Sequence, residues 1–201
     1  LFVSSIDLYD KENAGEDLKR LKQTEAKIAK LAHDYSLNAR ILRLGPVFGP
    51  RMTFSTEDPL IKLLLQSLRS DLQEQVSLEF SSRALYVSDA VELIIRTIFA
   101  GSTSQKIFDG VNPTPIKVSE IKQVLLDPVW YEKRDFIFSE LPPWPTPNLE
   151  RTIKFLNWHP KIKMLTAFKE TLKFFKDNEI KVPGQVEELK LNQDKKEEIK
   201  A

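Results

Sequence analysis

The chain has 201 residues, 41% hydrophobic and 29% charged, enough for a sizeable core in one large domain or two small ones. Its 30 Lys and Arg oppose 29 Asp and Glu for a net charge of +1, so no broad field singles out nucleic acid or an anionic membrane as partner. The absence of cysteine excludes disulfides, thiolate metal sites and cysteine nucleophiles, and it fits a reducing, cytoplasmic setting.

Residues 1–5, LFVSS, read as a short apolar strand ending in two serines. The chain opens inside that apolar run, as the interior of a longer protein would. The polar stretch 10–17 with Gly15 reads as a loop. Over about 22–35 the apolar positions Ile28, Leu31, Ala32 and Tyr35 recur at helical spacing among Lys and Glu. That predicts one buried stripe on a solvated helix, which Ser36 and Asn38 break. Residues 39–44 are a second apolar strand, and Gly45, Pro46, Gly49 and Pro50 make the next segment irregular. Strand, helix, strand is the pattern of a parallel α/β layer.

Residues 60–68 read as helical and 76–80 as extended. Ser88 is placed to cap a helix whose inner face carries Val91, Ile94, Ile95 and Ile98 and which Gly101 ends. Residues 106–111 form one more strand. Beyond Pro113 and Pro115 the pattern gives a helix over 119–126, an extended piece at 135–138 and the run LPPWPTPN, in which Pro147 starts a helix after Thr146. Amphipathic helices follow over 149–156 and 164–175. The tail 183–201, rich in Lys, Glu, Gln and Asn, has few apolar residues and reads as solvated or disordered. All apolar runs fall far short of the roughly 20 residues that span a bilayer. His33 and His159 lack partners at metal-ligand spacing, so no metal site is expected. Trp130, Trp144 and Trp158 read as packing residues.

Three segments, FVSSIDLYD, KQTEAKIAKLAHDYSLNARILRLGPVFGPRM and RALYVSDAVELIIRTI, in this order and joined by the later LERTIKFLNWHPK, resemble the NAD-dependent epimerase/dehydratase family of extended short-chain dehydrogenase/reductases. The resemblance covers most of residues 1–180. It implies an α/β fold: the C-terminal part of a doubly wound parallel, Rossmann-like sheet, with a smaller mixed α/β substrate-binding domain. The implied boundaries are 1–50 and 102–115 for the Rossmann-like part and 51–101 and 116–182 for the substrate-binding part. The implied cofactor is NAD or NADP, the implied partner a nucleotide sugar, and the implied assembly a homodimer of the full-length protein. A G-x-G-x-x-G turn is not formed by any of the six glycines, so the resemblance places that phosphate cradle upstream of Leu1.

In that family a Ser or Thr at the strand end, a Tyr, and a Lys four residues after the Tyr act together, the Lys holding the cofactor ribose and lowering the Tyr pKa. By register Ser5 matches the serine and Lys22 the lysine, and Leu18 stands where the tyrosine is expected. Pro46 and Val47 match the loop that passes the nicotinamide. Arg83 and Arg51 offer guanidinium forks suited to a diphosphate. The alternatives are a strand-end hydroxyl serving the backbone at Ser5, a solvated helix lysine at Lys22 and surface arginines at 51 and 83. Leucine carries no ionisable proton, so either another group supplies the base or the register differs, or the protein does not catalyse the family reaction. Two functions therefore stand: a nucleotide-sugar epimerase, dehydratase or decarboxylase using bound NAD(P), and a catalytically degenerate relative that binds a dinucleotide or serves a structural role.

Overall fold

The computed structural model describes residues 1–9, 15–52, 60–61, 63–64, 81–101, 106–117, 119, 121 and 147–178. The extended pieces expected at 76–80 and 135–138, Trp130, Trp144, and the 183–201 tail lie outside the described residues. So do most of the expected helices 60–68 and 119–126, of which Leu60, Ile61, Leu63, Leu64, Ser119 and Ile121 are helical.

Strand β1 (Phe2–Ser5) leads through a 3-10 turn (Ile6–Tyr9) to helix α1 (Glu16–Asp34), and the chain returns as β2 (Ile41–Leu44). Short strands β3 (Val47–Phe48), β4 (Ser81–Ser82) and β5 (Leu85–Tyr86) precede α2 (Val87–Phe99), after which come β6 (Ile107–Gly110), β7 (Ile116–Lys117), α3 (Leu149–Leu156) and α4 (Met164–Asp177). Strands β1, β2 and β6 form a wholly parallel sheet in that order. Beside it β3 pairs with β5 in parallel and β4 with β7 antiparallel. The chain is thus an α/β protein with the helix-connected parallel strands that the sequence pattern predicts.

The register aligns Val3, Leu42 and Phe108 in one row and Ser4, Arg43 and Asp109 in the next, and successive rows face opposite sides of a sheet. On the first side Leu42 and Phe108 are buried with Leu85, Ala90, Leu93, Leu156 and Trp158 in one apolar cluster. Helices α2 and α3 therefore pack on the sheet. The second row is polar, and α1 lies on that side, its Glu25 reaching Arg43. Gly110 suits the close approach of β6 to α2, because a Cβ there would press on the side-chain ends of Leu93 and Leu44. A second cluster joins Phe48, Leu60, Ile61, Leu63, Leu64, Tyr86, Ile116, Ile121, Met164 and Phe168, with the Phe48 and Phe168 rings stacked at 4.9 Å.

The helices depart from the sequence pattern at several points. Helix α1 starts at Glu16 rather than near Lys22, because Glu16 and Asp17 suit the positive end of the helix dipole. Its buried residue is Glu25, with Leu18, Leu21, Ile28 and Ala32 partly covered, whereas Leu31 and Tyr35 of the expected stripe are 50% and 70% exposed. The ion pair to β2 sets the helix's rotation. In α2 the buried residues are Asp89, Ala90, Leu93 and Thr97, while Val91, Ile95 and Ile98 of the expected inner face are about half exposed and Ile94 is partly buried. Ser88 caps nothing: the N-cap is Tyr86, in extended conformation at the end of β5. Helix α3 starts after Asn148, whose side chain accepts the Arg151 N–H, rather than at Pro147. At the other end of α2, the buried Arg40 guanidinium donates to the carbonyls of Thr97, Ile98, Ala100 and Gly101, satisfying groups a helix terminus leaves open.

Candidate functional site

Because β1, β2 and β6 are parallel and in register, their last residues, Ser5, Leu44 and Gly110, end side by side. The segments leaving these ends are stitched together by backbone bonds. Gly45 N–H donates to Gly110 O at 2.9 Å, Leu85 N–H to Pro46 O at 2.8 Å, and Asn112 N–H to Arg83 O at 3.1 Å. A crevice outside the carboxyl ends of such strands is where open α/β sheets bind ligands.

Ser5, Pro46, Val47 and Arg83 all lie in these segments, so the fold brings them to one end of the sheet. The Ser5 hydroxyl donates to the Asp7 carboxylate at 2.8 Å and accepts the Asp7 N–H at 3.1 Å, serving its own turn. Pro46 gives its carbonyl to β5, and Val47 is partly buried against the cluster under α2. The Arg83 guanidinium donates through Nη1 to the carbonyls of Asn112 at 3.0 Å and Pro113 at 2.7 Å. Burial lowers its pKa from the usual arginine value, though arginine stays protonated at any physiological pH.

Lys22 and Arg51 are placed differently. Lys22 is exposed on α1 and makes no hydrogen bond or ion pair among the described residues. Arg51 is exposed with φ +66°, two residues beyond Gly49 at φ +151°; positive φ is costly for a side-chain-bearing residue. Leu18 faces inward, half-buried on the same stripe as Glu25.

A polar chain that the sequence reading missed runs across the side of the sheet beneath α1. Glu25 holds Arg43 in a bidentate pair, Nε to Oε1 at 3.0 Å and Nη2 to Oε2 at 2.6 Å. The Arg43 guanidinium carbon lies 4.8 Å from the centroid of the Tyr9 ring, and the Tyr9 hydroxyl donates to Asp109 at 3.0 Å. Asp109, 3% exposed, also accepts the Asn148 N–H at 2.7 Å, so the start of α3 is tied to it. Thr152 completes the hub by accepting the Asp109 N–H and donating to the Asp109 carbonyl. Burial raises the Asp109 pKa, which hydrogen bonds from Asn148 and Tyr9 only partly offset. Burial and the neighbouring Asp109 raise the Tyr9 pKa, the wrong direction for a phenolate base. Burial opposes ionisation of Glu25, but the Arg43 hydrogen bonds and charge outweigh it and hold that carboxyl below its ordinary value. The signal in the sequence was the lone carboxylates Glu25 and Asp109 inside otherwise apolar patterns.

No family model matches the sequence, and neither does any curated protein. Solved structures do match. The fold is that of Rossmann-type α/β proteins, and the chain corresponds to their C-terminal part. The UDP-glucose 4-epimerase of Thermotoga maritima, determined with UDP-glucose, is 18% identical with a TM-score of 0.59 over 80% of this chain and 53% of its own. The UDP-glucuronic acid 4-epimerase of Bacillus cereus, in complex with UDP-glucuronic acid and NAD, is 12% identical at 0.62 over 87% and 60%. The UDP-N-acetylglucosamine 4-epimerase of Methanobrevibacter ruminantium, in complex with UDP-N-acetylmuramic acid, is 15% identical at 0.66 over 88% and 62%. At these identities the likeness establishes the fold, and the chain spans little more than half the length of the structures it matches.

Proposed function

We propose that this chain is the substrate-side part of a nucleotide-sugar epimerase-type oxidoreductase that works with NAD or NADP in a longer polypeptide. The observation that carries the reading is the convergence of Ser5, Pro46, Val47 and Arg83 at the carboxyl end of a parallel sheet whose fold is shared with UDP-sugar 4-epimerases. In this reading Arg83 and Arg51 meet the diphosphate, Ser5 faces a sugar hydroxyl, and Lys22 with Pro46 and Val47 lies along the nicotinamide ribose. The fit to the cofactor is partial. The segments after β1 and β2 can border a nicotinamide, but a glycine-rich cradle for its pyrophosphate is not formed by the six glycines. Two apolar clusters suit a two-part division with boundaries other than those expected, because α2 and α3 pack with the three-stranded sheet while Phe48, Leu60, Leu64, Tyr86, Ile116 and Phe168 gather apart from it.

Leu18 favours a second reading, a relative that binds its ligands without turning them over. Its side chain is apolar and inward-facing, Lys22 is exposed, and the phenol of Tyr9 is tied to a buried carboxylate. The deciding experiment follows C4 interconversion of UDP-glucose, UDP-glucuronic acid and UDP-N-acetylglucosamine by NMR, using the protein with its upstream sequence and NAD+. General acid–base catalysis contributes about 10²–10⁴-fold. Leu18→Tyr is therefore expected to raise a slow rate by something on the order of 10²-fold or less, and Lys22→Ala to cancel that gain. Binding without turnover in every variant selects the second reading, and neither binding nor turnover removes both.

A further inference from the structure

The 3-10 turn that follows Ser5 spans only Ile6–Tyr9, and its two ends are held by different parts of the sheet. At its start Ser5 pairs with Leu44 of β2, and Ile6 is buried. At its end the Tyr9 hydroxyl reaches β6 and donates to Asp109. The ring lies over Arg43, which Glu25 of α1 fixes bidentately. Between those two ends the Ser5 hydroxyl and Asp7 are hydrogen-bonded to each other, so the direction of the hydroxyl depends on the shape of this turn.

We propose that Tyr9 is a positioning residue for Ser5, its hydroxyl bond to Asp109 holding the turn in the shape that aims the serine at the carboxyl end of the sheet. The proposal rests on the reading of Ser5 as substrate-facing. A bond from a neutral hydroxyl to a carboxylate is stronger than a neutral pair, and Asp109 is anchored independently by the Asn148 N–H and by Thr152. Tyr9 therefore transmits the position of β6 to a turn that leaves β1, two strands away. Arg43 contributes by limiting the ring to one plane, and Tyr9→Phe keeps that contact while deleting the bond.

The test is native-state hydrogen exchange on the full 201-residue chain, with the Asp7 N–H, which donates to Ser5 Oγ, as the local reporter. Tyr9→Phe is expected to lower Asp7 protection on the order of 5- to 10-fold while the ladder amides of Leu42 and Phe108 keep theirs. Asp109→Asn, which retains an acceptor for the phenol, should leave Asp7 protected, and Asp109→Leu should reproduce the loss. If Asp109→Leu fails to fold, the first two variants decide. Unchanged Asp7 protection in Tyr9→Phe, or an equal loss at all three amides, overturns the proposal. Calorimetric titration with UDP-glucose separates the two layers. Weakening in Tyr9→Phe but not in Asp109→Asn supports a positioned Ser5. A wild-type chain that does not bind UDP-glucose removes the substrate-facing reading, and with it the functional half of the proposal.

Discussion

Asp109 is the residue at which the cost of burial and the benefit of bonding meet. Its carboxylate is almost wholly buried yet accepts two donors, from Tyr9 and Asn148, and the net effect of its surroundings is a raised pKa with burial as the largest cause. The folded chain then binds the Asp109 proton more tightly than the unfolded chain does. The contribution of Asp109 to stability is consequently greatest when protonated and declines as pH rises from the ordinary value of 3.8 through the folded pKa. Asp109→Asn keeps an acceptor and removes the charge. It is expected to leave stability at pH 7 unchanged or raise it by about 1 kcal/mol, and to abolish this decline, as read by urea unfolding between acid and neutral pH. A loss of about 2 kcal/mol at pH 7 would mean that the charge itself holds the hub. Glu25 carries the opposite sign: its pKa is lowered, so its contribution is present above its ordinary value of 4.5 and is lost as pH falls through the folded pKa.

At the scale of elements, anchored polar residues decide which way each helix faces. Helix α2 carries apolar side chains around most of its circumference, and Val91, Ile95, Ile98 and Phe99 remain exposed. The face that turns inward is the one bearing Asp89, 3% exposed, whose carboxylate accepts the N–H groups of Lys161 at 3.0 Å and Ile162 at 3.2 Å. Its backbone carbonyl accepts the indole N–H of Trp158 at 3.1 Å. Glu92, hydrogen-bonded to Lys161 first and Arg96 second, is held below its ordinary pKa on the outer side of the same contact. Asp89 thus joins α2 to the segment between α3 and α4. Asp89→Ala leaves two backbone donors unmatched and is expected to cost about 2–3 kcal/mol, measured as a lower urea midpoint with an unchanged m-value. Asp89→Asn, retaining one acceptor, should cost less than half as much. Equal losses would show that charge rather than geometry matters there.

For the whole molecule, the parallel register does the assembling. Aligning Ser5, Leu44 and Gly110 gathers three loops from sequence positions about a hundred residues apart. The sheet also leaves β1 at an edge among the described strands, with Leu1 and Val3 nearly half exposed. On the proposed reading the sugar nucleotide meets the strand ends of this chain, whereas its glycines form no pyrophosphate cradle. Isothermal titration of residues 1–201 is therefore expected to detect UDP-sugar binding but negligible NAD+ binding. Micromolar affinity for NAD+ would require a cradle built from other residues and would revise the cofactor assignment.

The sequence by itself determined the local order: strand, helix, strand from hydrophobic period and turn residues, the later strand over 106–111, and the two late amphipathic helices. Periodicity and backbone preference act over a few residues, which is why that order is legible. Only the resemblance to a family singled out Leu18, Ser5, Pro46, Val47 and Arg83, the last four of which the fold brings to the strand ends. Only the tertiary structure decided which face of α1 and α2 is buried, since the choice falls to long-range partners: Glu25 meeting Arg43, and Asp89 meeting Lys161 and Ile162. It alone assembled Tyr9, Arg43 and Asp109, because a carboxylate 100 residues from its phenol leaves no period in the sequence, and a buried polar group finds its partner only when strands pair.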